Sequence, residues 1–276
     1  MTVKIGVTLP SFTEDPDAPI RVAQAAEAAG VDGIFVYDHL FRVAPDGAMR
    51  PALECLALLG ALAVETRTIT LGTLVVRASL RPPPTLAAAL DTVVRIAGPR
   101  LVVGIGAGDE ESRPEMETFG LPMGTEADRV ERLRAAVLEL APRSYPTWVG
   151  GRAGHVGAVA AEHANGWNRW GADVDRFARE AAEVRDLAGE RNPDPSTFTM
   201  SWGGLVVVGA DDDSAREKAG RLTAGRSTIV GGPRTVADAA LRYGDAGAEW
   251  VIFGPIDSSD PANATLIGED VRAGLR

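Results

Sequence analysis

The sequence contains little of what several common kinds of protein need. Its 276 residues include one cysteine, Cys55, so the chain cannot close an internal disulfide. The apolar, helix-like surroundings of this cysteine predict a buried structural thiol. Lysine and arginine together number 28 against 38 aspartates and glutamates, which gives a formal net charge of −10. An acidic chain without a basic stripe is a poor candidate for binding nucleic acid or an anionic membrane surface.

Long apolar runs and metal-binding patterns are also missing. No stretch of about 18 residues is both apolar and free of charge, so no segment is predicted to span a membrane. The three histidines are spaced in a way that matches no metal site, and no metal is expected. We therefore expect a cytoplasmic protein that acts on a small-molecule substrate.

What the sequence does contain is a regular alternation of strand-like and helix-like segments. Apolar strands buried on both faces and separated by helices predict a parallel sheet. Eight such units predict closure into a single (β/α)₈ TIM barrel, an α/β fold that forms one domain over residues 1–276. An open, doubly wound sheet is the alternative. The eight strand-like segments are VKIGVTLP, GIFVYDHL, ITLGTLVV, RLVVGIGAG, YPTWVGG, GWNRWG, FTMSWGGLVVVG and EWVIFGPI.

The second of these segments ends in an acid and an imidazole, Asp38 and His39. In a TIM barrel the chemistry lies at the C-terminal ends of the strands. Imidazole titrates near neutral pH, and a neighbouring carboxylate can fix its tautomer, so His39 is predicted to work as an acid or base. The alternative is a core histidine that makes only a structural hydrogen bond.

Two glycine-rich strand ends are candidate binding elements. Glycines at 104–108 would let the backbone approach a ligand closely, although their spacing is not that of a dinucleotide fingerprint. They could equally form a small-residue layer inside the barrel. Gly150, Gly151 and Arg152 precede a predicted helix, whose free N–H groups would hold a phosphate together with the arginine. A plain tight turn is the alternative there.

These pieces, in this order, resemble the bacterial luciferase-like family of flavin and deazaflavin enzymes. No single motif is decisive, but the resemblance extends over nearly the whole chain. The segments that carry it are AEAAGVDGIFVYDHL, ECLALLGALAVETRTITLGTLVV, RLVVGIGAGDEESRPEMETFGLP, PTWVGG, EHANGW and IVGGPRTVADAALRYGDAGAEWVIFGP.

The resemblance implies a barrel that pairs into homodimers and binds FMN or the deazaflavin coenzyme F420. It implies that Asp38 lies against the cofactor ring and that His39 faces the substrate as proton donor or acceptor, with Asp109 as a second catalytic candidate. It also implies a non-proline cis peptide bond between Leu74 and Val75, which would support the back of the ring. The further cofactor contacts implied are Ala107, Gly108 and Ser112 in the loop after the fourth strand, and Gly150, Gly151 and Arg152 in a phosphate turn.

The Asp-His pair and the short total length resemble the deazaflavin branch of the family. Such a member would be an oxidoreductase that transfers hydride to or from a small organic substrate. The alternative is an FMN-dependent two-component monooxygenase, supplied by a separate flavin reductase.

One departure from the family pattern keeps a non-catalytic alternative open. Members of the family often carry a long insertion between the fourth helix and the fifth strand, but LELAPRSYPTWVGG joins the two almost directly here. A shorter lid would leave the pocket open, which raises the alternative of a non-catalytic flavin-binding barrel. A barrel that uses a lysine Schiff base is disfavoured, because neither Lys4 nor Lys218 lies at a predicted strand end.

Overall fold

The computed structural model describes residues 3–43, 47–192, 197–222, 224–225 and 227–275, in which strands and helices alternate. The strands are β1 (Lys4–Thr8), β2 (Gly33–Val36), β3 (Phe41–Val43), β4 (Met49–Pro51), β5 (Thr70–Arg77), β6 (Leu101–Gly106), β7 (Thr147–Gly150), β8 (Gly166–Trp170), β9 (Thr199–Val208), β10 (Ile229–Gly231) and β11 (Trp250–Pro255). The helices are α1 (Ala18–Ala28), α2 (Cys55–Glu65), α3 (Pro83–Ala97), α4 (Arg113–Thr118), α5 (Glu126–Leu140), α6 (His155–His163), α7 (Val174–Arg191), α8 (Asp212–Leu222), α9 (Pro233–Asp245) and α10 (Pro261–Leu266).

Eight parallel strands close into a barrel. They follow one another around the ring in the order β1, β2, β5, β6, β7, β8, β9 and β11, and β11 pairs back onto β1. The predicted (β/α)₈ barrel is therefore confirmed, and the open sheet is not what the chain forms. Two smaller features are added to the ring: β10 extends the sheet beside β9, and β3 pairs with β4 in an antiparallel hairpin after β2.

The inside of the barrel is filled by large aromatic side chains that face strand glycines. Phe35 lies 6.2 Å from Trp148 and 5.9 Å from Trp250, measured between ring centroids. A Cβ atom at Gly72 would collide with the Phe35 ring, so this position has to remain small. The other apolar core lies between the sheet and the helices, where Cys55 is fully buried as predicted.

Strand β5 contains the bulge that shapes the mouth of the barrel. Its register against β6 shifts between Thr73 and Val76, and the Leu74–Val75 peptide bond is cis, as the resemblance implied. Cβ atoms at Gly106 and Gly150 would lie 2.6 and 2.5 Å from the methyl carbons of Val75. At these two positions glycine therefore makes room for a protein side chain, which for Gly106 matches the small-residue alternative in the sequence.

The α-helices and loops complete the outer layer. In the part of the chain that the structure describes, every helix is too short or too polar to cross a lipid bilayer.

Replacing Gly104 with alanine should destabilise the barrel, because the new Cβ would collide with the backbone carbonyl oxygen of Thr73. We expect a loss of about 1–3 kcal/mol in the free energy of unfolding, the usual cost of overpacking. Gly60→Ala in α2 is the matched control, because a Cβ atom there would meet no atom within 4 Å outside its chain neighbours and its own helix backbone. It should stabilise the helix by about 0.5–1 kcal/mol. Urea denaturation of both variants measures the difference, and equal stabilities would contradict the packing argument.

Candidate active site

A large cavity opens at the C-terminal ends of the barrel strands. Its volume is about 1630 Å³, compared with roughly 300–1,000 Å³ for ordinary small-molecule pockets. The structure brings every residue proposed from the sequence into its wall: Asp38, His39, Leu74, Val75, Ala107, Gly108, Asp109, Ser112, Gly150, Gly151 and Arg152.

His39 is held by a buried carboxylate that the sequence analysis did not identify. Its Nδ1 lies 2.9 Å from Oε1 of Glu115, a residue of α4 whose side chain is 5% exposed. The same oxygen accepts the backbone N–H groups of Leu40 and Phe41 at 3.3 and 3.4 Å. An ionised carboxylate can only accept, so Nδ1 carries a proton. Nε2 of the 40% exposed His39 side chain makes no hydrogen bond with the residues that the structure describes. The imidazole thus has a structural hydrogen bond and also lines the cavity.

The other oxygen of Glu115 pairs with a buried arginine. Nη2 of Arg77 lies 2.5 Å from Oε2 of Glu115, and both side chains are about 5% exposed or less. Burial raises the pKa of Glu115, but the hydrogen bond from His39 and the charge of Arg77 outweigh it, so that the pKa lies below its ordinary value. The carboxylate therefore stays ionised and remains an acceptor for His39.

Asp38 lies at the centre of a second group of charged contacts, beside the Arg77–Glu115 pair. It is 1% exposed and accepts the backbone N–H of Arg77 at 3.0 Å. The Arg81 guanidinium binds both of its carboxylate oxygens, at 2.6 and 3.1 Å, and also pairs with Glu54. Asp38 is thus fixed at the cavity wall by protein donors, and its predicted contact with a cofactor ring remains a prediction.

The loop after β6 forms the neighbouring wall. Oδ1 of Asp109 accepts the backbone N–H and the hydroxyl of Ser112, both at 3.1 Å, and so caps the short turn Glu110–Ser112. Gly108 has a φ of 78°, a conformation that favours glycine. These contacts give Asp109 a structural task, while its predicted catalytic role remains untested.

The turn between β7 and α6 has fewer free amides than the sequence suggested. The helix begins at His155, as expected, but the N–H groups of Ala153 and Gly154 donate to Glu180 and Glu183, each at 3.3 Å. These glutamates come from α7, which the sequence analysis did not connect with the turn. Arg152 is exposed and forms no ion pair with any residue that the structure describes.

Three functional candidates were missed, for different reasons. Arg77 and Arg81 follow the bulge of β5, and a search of that strand end for charged residues would have found them. Glu115 is 76 residues from His39 in the chain, and no local spacing connects the two.

The fold and the site together define an α/β-barrel protein with a ligand cavity and a histidine–carboxylate pair at the strand ends. The sequence model described as "Luciferase-like monooxygenase" matches residues 3–249. The chain therefore belongs to the luciferase-like monooxygenase family, as the resemblance indicated.

Individual relatives are more distant. The F420-dependent glucose-6-phosphate dehydrogenase of Beutenbergia cavernae is 36% identical over 113 residues, which is 41% of this chain and 32% of the relative. The match thus spans about a third of that relative's length. Among solved structures, an F420-dependent secondary alcohol dehydrogenase in complex with an F420-acetone adduct aligns with a TM-score of 0.83 at 15% identity, covering 100% of both chains. A riboflavin lyase with modified FMN aligns with a TM-score of 0.82 at 14% identity, covering 100% of this chain and 92% of its own. These two likenesses concern the fold.

Replacing Glu115 with glutamine should destabilise the protein in a pH-dependent way. Removing one partner of a buried ion pair leaves the charge of Arg77 uncompensated, which costs about 3 kcal/mol. Because the pKa of Glu115 is lowered in the fold, its stabilisation is fully present above about pH 4.3. It is lost as the pH falls through the lowered pKa.

Urea denaturation of wild type and Glu115→Gln at a series of pH values from 7 to 3 measures this gap. Glu117→Gln, on the exposed side of the same helix, is the control and should change stability little. A gap that is small at pH 7, or that grows as the pH falls, would show that the pair does not stabilise the fold.

Proposed function

We propose that this protein is an oxidoreductase that uses coenzyme F420 for hydride transfer to or from a small organic substrate. The observation that carries the proposal is the His39–Glu115 pair, which presents a free imidazole nitrogen at the mouth of the barrel. The F420-dependent relative supports the choice of cofactor. The homodimer implied by the resemblance and the cytoplasmic location expected from the sequence belong to the same proposal.

The residues present fit such a cofactor. The cavity is large enough for a ring system and a substrate together, and the β5 bulge with Val75 would form the surface beneath the ring. Near the β7–α6 turn, Glu180 is paired with Arg169 and Arg176 at 2.6 Å. Arg152 lines the cavity at this turn and is exposed, and its guanidinium group suits the anionic tail of the cofactor.

The bound cofactor supplies or receives the hydride, and the protein handles the proton. Nε2 of His39 would take the proton from a substrate hydroxyl as its carbon is oxidised, or give it to the oxygen of a carbonyl that is reduced. Glu115 keeps the other ring nitrogen protonated and stabilises the imidazolium that forms. Arg77 in turn keeps Glu115 in place, so that the imidazole plane is fixed before the substrate arrives.

A second candidate function is an FMN-dependent monooxygenase that relies on a separate flavin reductase. The description of the family as monooxygenases favours it. The departure from the family's usual lid, noted in the sequence, keeps a non-catalytic flavin-binding barrel as the further alternative.

Titration of the purified protein with coenzyme F420 and, separately, FMN tests the cofactor. Ligand fluorescence measures the binding. We expect micromolar or tighter binding of F420 and weaker binding of FMN. Arg152→Gln should weaken F420 binding about tenfold, the value of one charge-assisted hydrogen bond. Arg95→Gln, an exposed arginine of α3, should leave binding unchanged. Preference for FMN would favour the monooxygenase, and binding of neither would favour the non-catalytic barrel.

Replacing His39 with alanine should separate catalysis from cofactor binding. We expect turnover to fall by about 10²–10⁴-fold, the usual contribution of a general acid or base, with little loss of F420 affinity. His163→Ala is the control, because His163 lies at the end of α6 and pairs with Glu162 and Arg134. Turnover of a panel of small alcohols and sugar phosphates is the measurement. Unchanged turnover in His39→Ala would rule out the catalytic role of His39.

A further inference from the structure

The β3–β4 hairpin carries two arginines directly opposite each other. Arg42 on β3 is paired with Arg50 on β4 in the antiparallel register, so both side chains lie on the same face of the hairpin. Side chains in such a pair start about 5 Å apart, measured between their Cβ atoms. We call Arg42 and Arg50 the arginine pair.

This arrangement is unfavourable unless something neutralises it. Like charges directly opposite each other destabilise a hairpin. Both arginines are exposed, and within the described ranges no carboxylate lies at ion-pair distance from either of them. Two neighbouring guanidinium groups that have no counterion among the described residues can together bind one oxyanion.

Arg42, one member of the arginine pair, lies beside the histidine. Arg42 lines the cavity, and its guanidinium carbon lies 5.0 Å from the centre of the Phe12 ring. That ring is 5.4 Å from the ring of His39, and Tyr37 contacts both. The cation–π contact holds Arg42 on the side of the cavity that His39 occupies.

The arginine pair is also separate from the β7–α6 turn. The hairpin follows β2, whereas the turn follows β7, three strands further around the barrel. The cavity wall therefore has an exposed arginine in two places, Arg42 on the side of the hairpin and Arg152 at the turn, and one cofactor tail would occupy only the place at the turn.

We propose that Arg42 and Arg50 form a subsite for the anionic group of the substrate, a phosphate or a carboxylate. The substrate would then be a small phosphorylated or carboxylated molecule whose alcohol or carbonyl group reaches His39. The statement that the bound anionic group belongs to a substrate rests on the proposed function. The binding of an anion by these arginines does not.

The test is equilibrium binding of inorganic phosphate and of acetate to the full chain at low ionic strength, without cofactor, by isothermal titration calorimetry. We expect Arg42→Gln and Arg50→Gln each to weaken the binding of the preferred anion by about tenfold. Arg95→Gln is the matched control for loss of one exposed positive charge and should leave binding unchanged. Tighter binding of phosphate would indicate a phosphorylated substrate, and tighter binding of acetate a carboxylated one. No measurable binding, or equal binding by wild type and both variants, would overturn the proposal.

A second measurement separates this subsite from the cofactor site. Affinity for coenzyme F420 should be the same in Arg42→Gln and wild type, whereas Arg152→Gln should weaken it. If Arg42→Gln weakens F420 binding as much as Arg152→Gln does, the pair belongs to the cofactor tail and the substrate subsite is wrong. If wild type binds phosphate through the pair but does not bind F420, the subsite is upheld and the proposed function fails.

Discussion

The buried ion pair between Arg77 and Glu115 is the interaction on which the site depends. It joins the end of β5 to α4, and each partner also holds a residue that follows β2: Glu115 binds the His39 ring, and the backbone N–H of Arg77 binds Asp38. Removing one partner of a buried ion pair leaves the other charge buried and uncompensated, which is strongly destabilising. The network therefore stabilises the fold only while all its partners are in place, and this requirement also fixes the tautomer and orientation of the histidine.

The bulge in β5 places this network where it can meet a ligand. Regular pairing with β6 resumes at Val76 and Arg77, after the shift that turns Val75 toward Gly106 and Gly150. An extra residue in a strand changes the direction in which the following side chains point, and bulges are common beside functional sites. The same local irregularity thus forms the floor of the cavity and directs Arg77 into the buried pair behind it.

The sequence predicted the barrel and the position of the cavity because both follow from repeating local patterns. Strand-like runs alternate with helices, and polar residues gather at the strand ends. The partners of these residues depend on contacts between distant segments, which no local pattern encodes. Glu115 and His39 are such a case, and so are Glu180 and Glu183, which take up amides at the start of α6. The sequence alone does not show whether the glycines at 106 and 150 make room for a ligand or for a valine side chain.

The arginines around the cavity fall into two groups that the net charge of the chain conceals. Arg77, Arg81 and Arg169 are at most 16% exposed and pair with carboxylates of the protein, so their charges are used within the fold. Arg42, Arg50 and Arg152 are exposed and form no ion pair with the described residues, and their charges remain free for a ligand. A net charge of −10 repels an anion only weakly beyond the screening length of about 8 Å at physiological salt. Local guanidinium groups therefore decide whether an anion binds, and an acidic protein of this kind can still serve an anionic cofactor and an anionic substrate.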